Sequence, residues 1–391
     1  MKKLKIAVFS DNFYPEISGI SDSIIATAKE LAKKGHKIQF YVPKHPLRNY
    51  NKINATKKEV DLGKNISVVR LPSLPYKTGT GQSRMVIPLG WSLKSVKKFN
   101  PDVIHVHLPF GTGIEGLIAS KLFKIPLVGT THTAIEEYLR YARINSVKIK
   151  NIVLKAYSSF YNQCKIVSSP CKCGLDYFND IKFKPKKIII PNPYFLKNIE
   201  KNNSKTEYNF SGFNIVYCGR IAEEKHIEDV IKSMPLIKNK IKSAKLLIIG
   251  QGTYENYLRN IVNRLGVQEN VIFLGFLNQE QIYEIYKKCH VFAIMSTVEM
   301  QSLSVMQAMS SKLPIVGADS HGLSEQIHKD FGFLVNPGDY KNLAKKIIFL
   351  GENENERIKM GENCAKFVKQ FSAKKIANTW EKIFYSLLNK N

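Results

Sequence analysis

Short apolar runs alternate, along the whole chain, with stretches in which apolar residues recur every three or four positions. The runs predict buried strands and the spaced stretches predict helices. In the first half we predict strands at 4–9, 38–42, 67–71, 103–107, 127–131, 165–168 and 187–190. In the second half we predict strands at 213–218, 245–249, 271–274, 291–295, 314–317 and 332–335. This alternation predicts an α/β protein with doubly wound parallel sheets.

A proline-containing and then strongly polar segment, 185–211, lies between the two sets of strands. Such a composition marks a boundary between domains. We therefore predict a first domain at 1–190, a linker at 191–211 and a second domain at 212–372. Beyond the second domain, an amphipathic helix is predicted at 373–389.

The chain of 391 residues carries a formal net charge of +27, and this charge is unevenly distributed. Residues 1–200 contain 33 Lys and Arg against 13 Asp and Glu, a net +20, whereas residues 201–391 contain 26 against 19, a net +7. The basic half favours an anionic partner, either a nucleic acid or an anionic membrane surface. Biased codon usage also produces lysine-rich chains, but it should affect both halves. No usual nucleic-acid-binding motif occurs, so no nucleic-acid partner is predicted.

Hydrophobic residues make up 44% of the chain, which excludes a disordered protein. No run approaches 18 apolar residues, so no transmembrane helix is predicted. The N-terminus enters a strand without the apolar region of a signal peptide. The six cysteines are scattered, and Cys171-x-Cys173 lacks the usual ligand spacing of a zinc site. We therefore expect a cytoplasmic protein with reduced thiols.

The stretch 296–309 carries the clearest candidate chemistry. It connects a predicted strand to a helix, so Glu299 is expected at the carboxyl edge of a parallel sheet, where such folds bind ligands. Gln307 follows eight residues later, on the helix. The backbone N–H groups that open this helix are predicted to form an anion site, and they belong to Ser302, Leu303 and Ser304. The alternative is a solvent-exposed glutamate ahead of an ordinary amphipathic helix.

A second segment, 219–225, follows the first strand of the second half and contains Arg220 and Lys225, five residues apart. Two fixed cations together with helix-terminal amides can bind an anionic group without a metal ion. No Asp-x-Asp metal motif occurs anywhere in the sequence, so no metal cofactor is predicted. The alternative is a pair of solvent-exposed cations at a turn.

These segments resemble those of the retaining family-4 glycosyltransferases, which have the GT-B fold. The stretch 296–309 is similar to that family's Glu-x7-Glu signature, except that Gln307 stands at the position of the second glutamate. By resemblance, Glu299 contacts the donor sugar, Gln307 holds the nucleotide ribose, and Arg220 and Lys225 clamp the donor diphosphate. Glutamine keeps a hydrogen-bond acceptor but loses the charge, so Gln307 is expected to affect donor affinity or donor choice.

Three further positions take expected roles from the same resemblance. The loop that ends at Gly19 resembles the short glycine loop near the start of these enzymes, where glycine lets the backbone approach the donor phosphates. An ordinary strand-to-helix turn is the alternative there. The loops at Gly250 and Phe276 correspond to backbone that holds the nucleobase.

The segment 130–138, Thr-Thr-His-Thr-Ala-Ile-Glu-Glu-Tyr, resembles the Thr-x-His-Thr segment of family-4 enzymes that glucosylate diacylglycerol. By resemblance, His132 reaches the donor sugar. The alternative is a histidine that only caps or packs at a helix N-terminus. His105 and His107 alternate along the preceding strand and are expected to be buried or structural.

Two stretches, 76–99 and 143–163, combine basic, apolar and aromatic residues in the manner of an interfacial membrane element. For either stretch the alternative is a solvated helix with one face on the core. Because both lie in the basic half, we favour the membrane, with shallow insertion of Ile152 and Phe160 beside Trp91. The residues expected to bind membrane or acceptor are Trp91, Lys94, Lys97, Lys98, Lys148, Lys150 and Lys155.

The resemblance implies two Rossmann-like domains facing each other across a cleft, with the helix at 373–391 packing back on the first. It implies retaining transfer of glucose or galactose from a UDP-hexose to a membrane glycerolipid, 1,2-diacylglycerol above all, at the inner face of the cell membrane. The expected catalytic residues are His132, Arg220, Lys225 and Glu299. The alternatives are a polyprenyl-linked, lipopolysaccharide or soluble sugar acceptor, or an inactive relative that only binds membrane or nucleic acid.

Overall fold

The computed structural model describes residues 2–16, 18–51, 59–75, 84–132, 146–179, 182–194 and 210–388. The chain forms two compact units, one of Met1–Pro193 together with Phe371–Asn391 and one of Tyr194–Gln370. Each unit is built on a parallel sheet, so the predicted α/β class is confirmed. The predicted strands are confirmed to within one residue at each end.

The first unit contains a seven-stranded parallel sheet and a short antiparallel hairpin. The strands are β1 (Lys5–Ser10), β2 (Lys37–Pro43), β3 (Ile66–Leu71), β4 (Ser73–Pro75), β5 (Arg84–Val86), β6 (Val103–His107), β7 (Leu127–Thr130), β8 (Ile166–Ser169) and β9 (Lys186–Ile189). The order in the sheet is β3-β2-β1-β6-β7-β8-β9, and β4 pairs with β5 in the hairpin. The order reverses between β1 and β6, which is the kind of position where open α/β sheets bind ligands.

The second unit contains a six-stranded parallel sheet of order β12-β11-β10-β13-β14-β15. Its strands are β10 (Asn214–Cys218), β11 (Lys245–Ile249), β12 (Val271–Gly275), β13 (Val291–Ile294), β14 (Ile315–Ala318) and β15 (Gly332–Val335). Strands β10 and β13 are buried along their whole length, because helices cover both faces of such a sheet. Their carboxyl ends lie side by side at the point where the order reverses.

Helices connect most of the strands. They are α1 (Gly19–Lys33), α2 (Leu47–Asn51), α3 (Leu93–Phe99), α4 (Gly111–Phe123), α5 (Val147–Tyr161), α6 (Cys173–Asp176), α7 (Ile227–Lys240), α8 (Glu255–Leu265), α9 (Gln279–Tyr286), α10 (Leu303–Ser310), α11 (His321–Gln326), α12 (Tyr340–Glu352), α13 (Glu354–Val368) and α14 (Ala373–Leu388). Among the described residues, no helix combines the length and the apolar composition needed to cross a bilayer.

The two faces of the first sheet carry different helices. Ala28 and Leu31 of α1 pack with Trp380 and Phe384 of α14 in one core cluster. The other core cluster contains residues of α3, α4 and α5, namely Val96, Ala119, Tyr157, Phe160 and Tyr161. The chain therefore returns to the first unit through α14, on the face opposite α3 and α5.

Polar contacts fix α14 in place. His36 Nδ1 accepts a hydrogen bond from the Leu4 backbone N–H at 3.0 Å, so its Nε2 carries the proton that it donates to Glu381 at 2.8 Å. Lys34 pairs with the same carboxylate. The buried imidazole is satisfied on both sides, which makes this a structural anchor.

Candidate active site

Glu299 lies in the loop between β13 and α10, at the carboxyl edge of the second sheet. Its side chain is 16% exposed, and its Oε1 accepts a hydrogen bond from Lys225 Nζ at 2.6 Å. The Lys225 side chain is 14% exposed. The fold therefore joins two of the predicted site residues, 74 positions apart in the sequence, in one partly buried ion pair.

Opposing effects set the pKa of Glu299. Burial raises it, because a low-dielectric environment penalises the charged form. Lys225, through its charge and its hydrogen bond, and Arg220, through its charge, lower it by more. The pKa consequently lies below its ordinary value. Glu299 is therefore ionised at neutral pH and acts as a hydrogen-bond acceptor, not as a proton donor.

Arg220 follows β10 and lies at the same sheet edge. Its guanidinium contacts Glu224 Oε1 at 2.6 Å, and Glu224 belongs to the short 3-10 turn Glu223–Lys225. Glu224 is buried, and its carbonyl accepts a hydrogen bond from the Thr297 backbone N–H at 3.3 Å. The segment 220–225, which carries both predicted cations, is thus tied to the loop that carries the predicted carboxylate.

Two glycines after β11 let another loop lie against the Arg220 segment. A Cβ at Gly250 would stand 1.9 Å from the Gly219 carbonyl oxygen, and one at Gly252 would stand 1.9 Å from that of Ile221. The Gly250 backbone has φ +137°, which only glycine adopts readily. These glycines therefore help to position Arg220, and the nucleobase contact expected at Gly250 stays a prediction.

A third glycine, Gly322, holds the loop of Glu299. Its backbone N–H donates to the Glu299 carbonyl at 2.8 Å. A Cβ at this position would stand 1.6 Å from the Met300 carbonyl oxygen. The first turn of α11 can approach the loop this closely only because residue 322 lacks a side chain.

Gly322→Ala is expected to lower the free energy of unfolding by roughly 2 kcal/mol or more, because a backbone carbonyl cannot yield as a side chain can. Chemical denaturation of purified protein measures this change. Gly351→Ala is the matched control, since its Cβ would meet the flexible end of Ile241 at 2.2 Å. Equal stability losses for the two variants would contradict the role given to Gly322.

Ser302 caps α10, and its Oγ accepts a hydrogen bond from the Val305 backbone N–H at 3.4 Å. Its own N–H donates to Gln326 Oε1 at 2.9 Å, and its carbonyl accepts from Gln326 Nε2 at 3.0 Å. This N–H is therefore engaged within the protein, contrary to the prediction that it helps to form an anion site. That prediction now rests on Leu303 and Ser304, whose N–H groups have no partner inside the helix at its first positions.

Gln307 lies on α10 and donates from its side-chain Nε2 to Gln279 Oε1 at 2.8 Å. Its carbonyl accepts hydrogen bonds from the hydroxyls of Ser310 and Ser311. Phe276 lies exposed in the loop after β12. The ribose and nucleobase contacts expected of Gln307 and Phe276 stay predictions.

In the first unit, Gly19 is the first residue of α1, which Ser18 caps by accepting a hydrogen bond from the Ile20 N–H. Residue 17, in the same predicted glycine loop, lies outside the described residues. Asp11, at the end of β1, is buried, and its Oδ1 accepts a hydrogen bond from the Thr112 N–H at 3.1 Å. Burial raises the pKa of Asp11 to about 7, and Glu16 adds to the effect.

His132 lies two residues after β7, and its Nε2 stands 2.8 Å from His107 Nδ1. The two rings stack with centroids 5.1 Å apart. Burial lowers the pKa of His132 to about 4, so this imidazole is neutral at physiological pH. The expectation that His105 and His107 are buried is confirmed. Residues 133–138 of the motif lie outside the described residues.

The predicted membrane residues divide between two helices. Lys94, Lys97 and Lys98 lie on α3, and Lys148, Lys150 and Lys155 lie on α5. Trp91 is exposed just before α3, with its Nε1 donating to the Ile87 carbonyl at 3.0 Å. Phe160 is buried in the core, so the expected insertion of this ring is wrong. Residues 76–83 and 143–145 of the two stretches lie outside the described residues.

Two family models match adjoining parts of the chain. The model described as Glycosyltransferase Family 4 matches residues 17–195, and the one described as Glycosyl transferases group 1 matches residues 197–367. An uncharacterised glycosyltransferase of Methanocaldococcus jannaschii is 30% identical over 358 residues, which cover 87% of each chain. The chain belongs to these glycosyltransferases.

The names of relatives of this glycosyltransferase give different products. Alpha-monoglucosyldiacylglycerol synthase of Streptococcus pneumoniae is 25% identical, covering 85% of this chain and 75% of its own. The synthase of the same name from Acholeplasma laidlawii is 24% identical, covering 99% and 98%. N-acetyl-alpha-D-glucosaminyl L-malate synthase of Bacillus anthracis is 25% identical, also covering 99% and 98%.

Solved structures confirm the GT-B fold. Sucrose-phosphate synthase of Thermosynechococcus elongatus matches with a TM-score of 0.79 at 16% identity, over 100% of both chains. HepE of Anabaena, solved in complex with UDP-glucose, matches with a TM-score of 0.72 at 19% identity, over 98% of this chain and 100% of that one. The predicted fold and the prediction of a hexosyltransferase are both confirmed.

Sequence reasoning missed the supporting residues of the site. Glu224 lies four residues after Arg220, a spacing at which opposite charges meet on a helical turn. The sequence therefore does contain a signal for the Arg220–Glu224 ion pair. Asp11 follows a buried strand directly, which is also a readable signal for a residue at the carboxyl edge. Gly322 carried no such signal, because its neighbours come from another loop.

Proposed function

We propose that this glycosyltransferase transfers a hexose, glucose or galactose, from a UDP-sugar to a membrane glycerolipid, with 1,2-diacylglycerol as acceptor and with retention at the anomeric carbon. The names of two relatives support a glucosylated diacylglycerol with an α linkage. The UDP-glucose complex of HepE supports a UDP-sugar as donor, on the same fold. The rest of the support comes from this chain's own residues.

The observation that carries the proposal is the Lys225–Glu299 pair at 2.6 Å, with Arg220 on the neighbouring strand end. A cation and a carboxylate held together at a sheet edge suit a ligand that carries both a diphosphate and a sugar. Lysine has three N–H donors, so Lys225 can keep its bond to Glu299 while it contacts a phosphate oxygen. Glu299, ionised, accepts hydrogen bonds from sugar hydroxyls.

In the proposed reaction the bond from the anomeric carbon to the UDP oxygen breaks, and the acceptor oxygen bonds to that carbon on the same face. The departing phosphate takes the proton of the acceptor hydroxyl. Arg220 and Lys225 stabilise the charge that grows on the diphosphate, and this stabilisation lowers the barrier. Glu299 and His132 position the sugar. We assign no divalent metal to the reaction, because the two cations supply the charge that a metal would supply.

The support for a lipid acceptor comes from the helices that cover one face of the first sheet. Helices α3 and α5 pack in the same core cluster, so their six lysines lie on this face. Large apolar side chains are exposed close to them in the sequence, with Leu89 71%, Val147 70% and Ile152 65% exposed. Basic residues beside exposed apolar ones are typical of proteins that bind an anionic bilayer. We therefore place the enzyme at an anionic membrane surface.

A soluble acceptor is the second candidate, because the malate-linked relative is as similar and covers as much of the chain. A single assay separates the two. Purified protein is incubated with labelled UDP-glucose or UDP-galactose, and with diacylglycerol in anionic vesicles, L-malate or a polyprenyl phosphate. The proposal expects label in lipid from diacylglycerol. Label only with malate would overturn the acceptor, and no hydrolysis or binding of any UDP-sugar would favour the inactive relative.

Gln307 offers a separate test of the donor site. If it holds ribose hydroxyls as a neutral partner, Gln307→Glu should be tolerated, and Gln307→Ala should mainly raise the donor KM by roughly tenfold, because binding common to ground and transition states is lost. Steady-state kinetics with the preferred UDP-sugar measures both. A fall in kcat with unchanged KM would contradict the ribose contact.

A further inference from the structure

Three histidines adjoin in the first unit. His105 and His107 lie on β6, and His132 follows the neighbouring strand β7. The ring centroids of His105 and His107 are 4.0 Å apart, and those of His107 and His132 are 5.1 Å apart at an interplanar angle of 22°. The sequence suggested a role for His132 only, whereas the structure connects it to a second imidazole by a ring-to-ring hydrogen bond.

That hydrogen bond couples the proton positions of two rings. Burial lowers the pKa of His107 and of His132, so both imidazoles are neutral near pH 7. A neutral imidazole carries one N–H and one bare nitrogen. Across the 2.8 Å contact one ring must donate and the other accept, so the tautomer of His107 dictates that of His132.

The same hydrogen bond determines which ring nitrogen of His132 is available to bind a ligand. Nε2 is occupied by His107, which leaves Nδ1. Among the described residues, Nδ1 of His132 is buried and has no hydrogen-bond partner. The cavity beside the three rings has a volume of about 40 Å³. This is enough space for about one water molecule.

Packing holds His107 in this orientation. His105 lies between His107 and Trp380 of α14, with its ring centroid 4.4 Å from that of the tryptophan. His105 Nε2 stands 2.7 Å from Thr130 Oγ1, which in turn stands 2.7 Å from Ser168 Oγ. His107 therefore packs against the ring of His105, which is itself held by Trp380 and by Thr130.

We propose that His107 is a positioning residue that sets the tautomer and the ring orientation of His132 through their shared hydrogen bond. This inference rests on the proposed function, in which His132 contacts the donor sugar through its remaining nitrogen. His107 itself touches no substrate. It acts only through His132, so its replacement should be rescued by a side chain that restores the bond.

Two variants test this rescue. In His107→Asn the side-chain amide can occupy the position of Nδ1 and keep the bond, whereas His107→Leu fills similar space without a polar atom. His107→Leu should lower kcat/KM for sugar transfer by about 10- to 100-fold, by analogy with the range found when a partner that orients a metal-binding histidine is removed. His107→Asn should stay within about threefold of wild type. Equal activities of the two variants would overturn the inference.

Nitrogen-15 NMR of histidine-labelled protein supplies a readout that does not depend on activity. His36 and His290 each accept a backbone N–H at Nδ1, at 3.0 Å, and serve as internal references for the Nε2–H tautomer. His132→Gln identifies the His132 signals. Wild type and His107→Asn should show one tautomer of His132, and His107→Leu should shift it. His105→Phe is the control: it keeps a ring packed against His107 and should leave the tautomer of His132 unchanged.

The outcomes separate the two levels of the proposal. Unchanged His132 signals in His107→Leu would overturn the positioning role, whatever the activity. If His107→Leu shifts the tautomer while His132→Gln transfers sugar at the wild-type rate, the coupling of the rings is supported and the proposed role of His132 in donor binding is wrong.

Discussion

Replacing Lys225 with alanine is expected to lower kcat/KM for the donor at least ~100-fold, equivalent to about 2.7 kcal/mol of transition-state stabilisation. Lys225 would no longer offset the charge on the departing diphosphate, and Glu299 would lose its ion-pair partner. Arg220→Ala is expected to act in the same direction. Steady-state kinetics with a UDP-sugar measures both changes, and added chelator should not inhibit the wild-type enzyme.

The pH profile of kcat/KM for Lys225→Ala tests whether Lys225 lowers the pKa of Glu299. Lys225 is the largest influence that lowers the pKa of this carboxyl, and burial opposes it. Without Lys225 the pKa of Glu299 rises. The acid limb of the kcat/KM profile should therefore lie at higher pH in the variant than in wild type. A pH profile with the same acid limb in both proteins would contradict the ion pair as the cause.

Matched variants test whether a loss of activity comes from misfolding or from the loss of any nearby cation. Lys232→Ala removes a cation from α7 that pairs with Asp229 at 3.6 Å, away from the candidate site, and should leave kcat/KM within about twofold. Thermal unfolding should show that Lys225→Ala is folded. For Arg220 the comparison is with Arg220→Lys, because Arg220→Ala removes the cation that contacts the buried Glu224 carboxylate. If folded Lys225→Ala retains near-normal turnover, the diphosphate clamp is wrong.

Reversing the charge of the six lysines of α3 and α5 is expected to reduce partition onto anionic vesicles by more than ~100-fold, since each Lys near such a surface contributes roughly 1 kcal/mol. The variant changes Lys94, Lys97, Lys98, Lys148, Lys150 and Lys155 to Glu. All six lie on the face of the sheet covered by α3 and α5, and none of them forms an ion pair among the residues that the structure describes.

A second set of lysines provides an equal change in charge elsewhere. It consists of Lys29, Lys33, Lys374, Lys375 and Lys382, on α1 and α14, and Lys240 at the end of α7. This variant should retain most of the vesicle binding, because α1 and α14 cover the opposite face of the first sheet and α7 belongs to the second unit. Co-sedimentation across a salt series measures both sets, and binding should weaken as salt rises. Equal loss in both sets would show that only the net charge matters.

Activity separates membrane binding from catalysis. Transfer to a short-chain soluble diacylglycerol should survive reversal of the six lysines on α3 and α5, because Arg220, Lys225 and Glu299 belong to the other unit. Equal binding of the wild-type enzyme to neutral and anionic vesicles would reject the electrostatic anchor. Loss of soluble-acceptor activity together with vesicle binding would place these lysines in the acceptor site instead.

Local patterns in the sequence were enough to determine the fold. Each strand is a short apolar run between helical patterns, and the physical requirement that such a run be buried on both faces leaves little choice but a parallel sheet. The identity of the main site residues was also local. Glu299 and Lys225 lie in the segments that follow buried strands, and the carboxyl ends of parallel strands meet at one sheet edge.

The tertiary structure decided which of these groups are paired and which face solvent. The Ser302 N–H is taken by Gln326, 24 residues further along the chain, and no local pattern predicts such a contact. Phe160 belongs to the same amphipathic helix as Ile152, yet one is buried and the other exposed, because the sheet determines which face of α5 it covers. His107 has His132 as a hydrogen-bond partner because β7 pairs with β6 in the sheet. Composition and spacing select residue types, whereas hydrogen bonds, ion pairs and burial depend on distances between segments remote in sequence, which only the folded chain sets.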